Sequence, residues 1–280
     1  MQLKSYYESL TDGTLKFQFL TSDNYIIESC VVFFWEKSSP INICVSSQVG
    51  CECSCSFFVT GYKRFVRNLS SSEIEKQGAL IFEHSPHLRQ YQFEITYMGT
   101  GEPLLNKENV FSSARSFSNN YLLLTRINVS SIFPNINITP DDILTVDKPV
   151  HFQYSLHFVS DDLRLKYFKK RLVPISAVLN KLNQLHDIAG TSFCLNYILF
   201  DRINDQSQDA KALIELICGL PTYIKISKYC PISFSNLKTS SNFENFTQVL
   251  DLGGVHWKAF ESKGTDIHAA CGHLLSDIQF

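Results

Sequence analysis

The segment "CVSSQVGCECSCSFF", residues 44–58, carries four of the chain's nine cysteines. Thiolates bind soft metals and iron–sulfur clusters, attack electrophiles and exchange with disulfides. Cys51, Cys53 and Cys55 stand one residue apart, and a metal site, a redox site and a cysteine-rich loop doing neither are all open readings of that spacing. A second candidate centre is the loop "MGTGEPLLN", where Glu102 follows Gly101 and could accept a charge-assisted hydrogen bond from a ligand ammonium. His157, at the end of an apolar run, suits either a ligand contact or a satisfied buried histidine. Cys194 and Cys218 sit inside apolar runs and read as small buried hydrophobes.

These residues need a scaffold, and the chain is long enough to build one. Its 280 residues are 44% hydrophobic and 19% charged, the composition of a folded protein. A net charge of −2 and a pI near 6.4 supply no global attraction to a polyanion. Nucleic-acid binding would need local basic stretches, for which Lys63–Arg64 with Arg67 and the run Lys166–Arg171 are the candidates. The N-terminal "MQLKSYYESLTDG" lacks the apolar core of a signal peptide, and no run reaches membrane-spanning length. The expectation is a cytoplasmic protein with no membrane partner, whose cysteines stay reduced.

Three β-like runs open the chain, at Thr14–Leu20, Tyr25–Trp35 and Ile41–Ser46. Ser70-Ser-Ser-Glu73 offers a capping box for a helix running to about Glu83. Strands at Tyr91–Tyr97, Leu123–Ser130, Val150–His157, Phe193–Phe200, Tyr223–Tyr229 and Val255–Phe260 then alternate with helices at Glu108–Asn119, Asp161–Phe168, Ile175–His186, Gln208–Cys218 and Asn242–Leu252. A last helix is expected at Ile267–Leu274. Such alternation predicts a parallel-stranded α/β domain, and the chemistry-bearing residues fall just after strands, where barrel enzymes place their sites.

"CVSSQVGC", "FVRNLSSSEI", "MGTGEPLLN", "SLH", "DRIND" and "GTDIHAACGHL" occur in this order, and together they resemble the RlmN/Cfr family of radical S-adenosylmethionine (SAM) enzymes from about Asp12 to the C-terminus. The resemblance implies an α/β fold, a radical-SAM partial (β/α)6 barrel, with residues 1–43 as a small N-terminal β extension and residues 44–280 as the core domain. It implies a [4Fe–4S] cluster, SAM, a reductant for the cluster, and methylation of adenosine at C2 or C8 in rRNA or tRNA through a methylated cysteine. By the same resemblance Cys271 carries the methyl group, Cys44 resolves the covalent product through a disulfide, and Glu28 accepts a proton. Gly101, Glu102, Ser130, Ser155, Leu156 and His157 would contact SAM, and Cys51 and Cys55 would be cluster ligands.

The sequence also departs from that family. Phe58 stands at the third ligand position, and phenylalanine cannot bind iron. Three arrangements stay open: Cys53 completes a triad with Cys51 and Cys55, a distant cysteine such as Cys230 does so, or the cluster is lost. Cys230 replaces a SAM-contacting asparagine, Phe260-Glu261 replaces a basic pair, and the 43 residues before Cys44 are too few for the family's N-terminal RNA-engaging domain. A catalytically degenerate binding or regulatory protein, or a radical enzyme with a smaller substrate, are the competing expectations.

Overall fold

The computed structural model describes residues 1–34, 39–170 and 172–275. Ten strands form one sheet in chain order: β1 (Gln2–Glu8), β2 (Leu15–Leu20), β3 (Ile26–Val32), β4 (Ile41–Cys44), β5 (Phe93–Tyr97), β6 (Leu124–Ser131), β7 (Val150–Ser155), β8 (Ser192–Leu199), β9 (Thr222–Lys228) and β10 (Trp257–Phe260). β1 to β4 pair antiparallel, and β4 to β10 are parallel throughout. Among the described residues no pairing joins β10 back to β4, so the parallel run is an open, partial barrel. Its strands are rich in Ile, Val, Leu and aromatic residues because both faces are covered.

The crossovers carry α1 (Ser71–His84), α2 (Lys107–Asn120), α3 (Pro140–Leu144), α4 (Asp161–Phe168), α5 (Ile175–Ala189), α6 (Ser207–Ile217) and α7 (Phe243–Leu252). The capping box expected at Ser70 is present: its hydroxyl accepts from Glu73 N while Glu73 accepts from Ser70 N. Ile74, Ile81 and Phe82 form the buried stripe of α1, and Gln77 ties it to the sheet. The Gln77 carbonyl oxygen accepts from Ser29 Oγ (2.7 Å) and Ser46 N (2.8 Å), and its amide donates to Ser46 O (2.9 Å).

In β2, Leu15, Phe17 and Phe19 enter the main core. Lys16 and Gln18 face the other way and are buried as well, because Glu28 on β3 receives both: Lys16 Nζ lies 3.5 Å from Glu28 Oε1, and Gln18 Nε2 donates to it at 2.7 Å.

Five expectations change. Cys218, read as a buried hydrophobe, is exposed. β1 was not anticipated, since its mixed polar sequence lacks an apolar alternation, yet it pairs along β2 from Gln2↔Leu20 to Glu8↔Leu15. The strand expected over Tyr25–Trp35 spans Ile26–Val32, and Trp35 lies outside the described residues. The strand ending at His157 stops at Ser155, because His157 takes a left-handed φ of 55°. Residues 267–274 do not form a helix: one short turn at Thr265–Ile267 gives way to a loop with positive φ at Gly264, His268, Gly272 and Leu275.

Candidate active site

The exit of β4 and the loop after β5 interlock. Ser46 Oγ donates to Glu28 O (2.6 Å) and accepts from Thr100 N (2.9 Å), and Gln48 Oε1 accepts from Glu102 N (3.0 Å). Gly101 has φ +110°, and a Cβ there would lie 2.7 Å from the Gln48 side chain, so only glycine fits.

Glu102, aimed at by the sequence as a ligand contact, is turned into the protein. Its carboxylate accepts from Leu104 N (3.0 Å), Ser131 Oγ (2.6 Å) and Ile132 N (3.1 Å), which takes three of its roughly four acceptor positions. Burial pushes its pKa up to about 7, against the opposing pull of these donors. One oxygen lone pair is left for a ligand.

Cys51, Cys53 and Cys55 are buried in an apolar cluster with Phe57, Phe158, Phe168, Phe200 and Tyr229. Cys51 and Cys53 share a hydrogen bond that pulls the Cys51 thiol down, and burial pushes Cys55 up. Phe58 lines the larger of two cavities beside them. Its ring lies so close to Gly272 (φ +84°) that a Cβ there would approach Phe58 Cδ1 to 2.2 Å. Val59 N donates to Gly272 O (2.7 Å), joining the two loops. Among the described residues no three His, Cys, Asp or Glu side chains converge to hold a metal ion. Cys230 lines neither cavity, and its carbonyl accepts from His273 Nε2 (3.2 Å). The donor set of this loop therefore does not fit an iron–sulfur cluster held by three thiolates.

Two cavities meet beside it. A cavity of about 120 Å³ is lined by the three loop cysteines, Gly101, Glu102, Ser130, Ser155 and His157. A smaller one, about 80 Å³, is lined by Cys30, Cys44, Thr96 and Gln153. Cys271, Met98, Lys225 and Phe260 line both. Cys271 Sγ lies 3.8 Å from Met98 Sδ. Lys225 donates to Gln153 Oε1 (2.9 Å), sits 4.5 Å from the centre of the Phe260 ring, and its charge draws the Cys44 and Cys271 thiols down. Burial is the larger effect: it pushes Cys44 up to about 12 and raises Cys271. All nine cysteines are free thiols, so the disulfide implied for Cys44 is not present.

The remaining candidates divide. Ser130 and Ser155 face the larger cavity. Leu156 is buried outside its lining, where its carbonyl accepts from Arg164. His157 is a buried neutral imidazole, pulled to a pKa of about 3 by burial and the Arg164 charge, whose Nδ1 accepts from Ile198 N (3.3 Å). Glu28 lines neither cavity; besides Lys16 and Gln18 it holds Leu275 N (2.7 Å), which ties down the Cys271 loop. Arg67 is clamped by Asp23 (2.7 Å) and Glu73 (2.8 Å), and Lys170 pairs with Glu52 (2.7 Å), so neither stands ready for phosphate. Arg171 lies outside the described residues.

Sequence reading missed Cys30, Lys225 and Arg164. A lysine in the middle of the apolar strand "TYIKISK" was the available signal for Lys225, and the β3/β4 register was needed for Cys30. Nothing local marks Arg164, which is buried and donates to Ser155 O (3.0 Å) and Ile132 O (2.9 Å), holding the ends of β6 and β7 together.

No family model matches the chain. Curated relatives do. It is 32% identical to the probable dual-specificity RNA methyltransferase RlmN of Thermosipho melanesiensis over 95% of this chain and 77% of that protein. It is 34% identical to the corresponding protein of Cytophaga hutchinsonii over 94% and 73%. A radical SAM methyltransferase from Sphaerobacter thermophilus superposes with a TM-score of 0.88 at 27% identity, covering 97% of this chain and 80% of that one. SuiB of Streptococcus suis, solved with S-adenosylmethionine bound, shares the fold at a TM-score of 0.58 and 11% identity, over 87% and 54%.

Proposed function

The chain belongs to the RlmN family, and from that premise we propose that it methylates adenosine in rRNA or tRNA through Cys271. The family implies SAM and a [4Fe–4S] cluster. The observation that supports methyl transfer is the meeting of Cys271 and Cys44 at one cavity wall beside Lys225, although they lie at opposite ends of the sequence. SAM supplies the methyl group when bound. Cys271 would hold it on sulfur, at the wall the two cavities share. SAM, when bound, would also supply the oxidation that joins this carbon to the base; Cys44 would then resolve the adduct, its sulfur bonding to the Cys271 sulfur while the electron pair of the broken S–C bond passes to the carbon, which takes up the proton that Cys44 gives up. Burial holds the Cys44 thiol protonated, and the Lys225 charge offsets part of that effect. Gly101, Glu102, Ser130, Ser155 and His157 form the wall a SAM molecule would meet, with Leu156 behind it. On this reading residues 1–43 are the extension, residues 44–280 are the core, and the protein works in a reducing cytoplasm.

Because the Cys51–Cys55 loop does not gather three donors, no step is drawn through it. Phe58 packed on Gly272 favours a second reading, a relative that binds RNA or SAM without turnover. Peptide mass spectrometry of protein from cells with intact cluster assembly separates the two. Methyl transfer requires a methyl group on Cys271 and a methylated adenosine in co-expressed RNA, and loss of the RNA product in Cys271→Ala. Unmodified Cys271 with unmodified RNA, together with no iron taken up on anaerobic reconstitution, leaves the binding protein.

A further inference from the structure

Cys30 has no part in the reading above, yet it is the thiol whose backbone stands opposite Cys44. The antiparallel register of β3 and β4 pairs the two residues directly. Such partners hold their Cβ atoms about 4.5–5.5 Å apart on one face of a sheet, close to the ~3.5–4.5 Å that a disulfide spans. Both thiols line the smaller cavity with Cys271 and Lys225. On its other side Cys30 Sγ donates to the carbonyl of Ala269 (3.8 Å), two residues before Cys271. Three thiols from β3, β4 and the C-terminal loop thus face one small space.

We propose that Cys30 takes Cys44 back from Cys271. In a chain carrying a Cys44–Cys271 disulfide, the Cys30 sulfur attacks Cys44 Sγ; the Cys30–Cys44 bond forms and the Cys44–Cys271 bond breaks. Cys271 leaves as a thiolate beside the Lys225 ammonium and takes up the proton that Cys30 gives up. No electron enters or leaves, because the oxidised state only moves from one pair to the other. Closing the Cys30–Cys44 bond draws the two Cβ atoms from about 4.5–5.5 Å to ~3.5–4.5 Å, a movement within two paired strands. Cys271 is thereby freed for the next methyl group before a dithiol reductant has to reach the site. The inference rests on the proposed methyl transfer only for where the Cys44–Cys271 bond comes from.

The test supplies the oxidation directly. Protein treated with oxidised glutathione, a two-electron oxidant, is quenched with an alkylating agent and mapped by peptide mass spectrometry without reduction. The parent should show a Cys30–Cys44 bond and alkylated Cys271. Cys30→Ala should instead show a Cys44–Cys271 bond and lose alkylation at Cys271, and Cys30→Val, closer to cysteine in shape, should do the same. A parent that ends with Cys44 bonded to Cys271, or to glutathione, with Cys30 alkylated, overturns the exchange. The methyl readout is separate. Methylated Cys271 with no Cys30–Cys44 bond removes only the role of Cys30, whereas the bond without any methyl removes only the methyltransferase reading.

Discussion

Two side chains set what the larger cavity can do. Phe58, which the family resemblance sets at a third ligand position, packs its ring against Gly272 and near Phe57 and His157. Phe58→Cys supplies the missing donor, and after anaerobic reconstitution the variant should hold more iron and sulfide per chain than the parent, read by metal analysis and visible absorbance; equal contents would mean that the loop path, and not the donor, is limiting. Glu102 is a matter of protons. Burial raises its carboxyl group from 4.5 to about 7, so between those values the folded protein keeps a proton that the unfolded chain has released. Its contribution to stability is full below about pH 4.5, falls as pH rises toward 7, and is flat above. The difference is about 3 kcal/mol at most. Glu102→Gln has no such proton to lose, so its melting temperature relative to the parent should climb between pH 4.5 and 7. A difference independent of pH would mean that the three donors to the carboxylate outweigh its burial.

At the scale of elements, what is written locally was legible and what depends on distant partners was not. The capping box at Ser70 is a four-residue signal, and α1 starts where it says. Ser70→Ala should lower the denaturant midpoint by an amount equal to about 1 kcal/mol with the slope unchanged. The parallel strands were equally readable, because burial on both faces demands continuous apolar runs. β1 escaped notice because an edge strand needs no such run. The C-terminal segment misled in the other direction: "DIHAACGHLL" is composed like a helix, but Gly264 and Gly272 at positive φ and the bond from Val59 N to Gly272 O hold it as a loop. The motif residues were legible as a set, while their orientations were not. Glu102 faces inward because Ser131 and Ile132, at the end of another strand, donate to it, and Glu28 turns from the cavity toward Lys16 and Gln18. Cys30 became visible only through a register that no single segment encodes.

Across the whole molecule, the N-terminal strands hold the segment that carries Cys271. Asp266 accepts from Ser9 Oγ (2.7 Å), Leu10 N (3.1 Å) and Thr11 Oγ1 (3.2 Å), Asp12 accepts from Gly264 N (2.8 Å), and Glu28 accepts from Leu275 N. Glu28→Gln weakens a buried charge-assisted bond worth about 1.5 kcal/mol or more, so alkylation of Cys271 should quicken roughly tenfold while that of exposed Cys218 does not change. An unchanged Cys271 rate would show that the loop is held by Asp266 and Asp12 alone. The same clasp bears on how the protein is made. Ser9 and Asp266 are 257 positions apart, and at about 5–20 residues per second a ribosome needs roughly 10–50 s to deliver the second after the first. During that interval Cys30 and Cys44 have emerged while the loop that closes over them has not. Until that loop arrives, nothing in the chain's own fold keeps its first two thiols from pairing too soon.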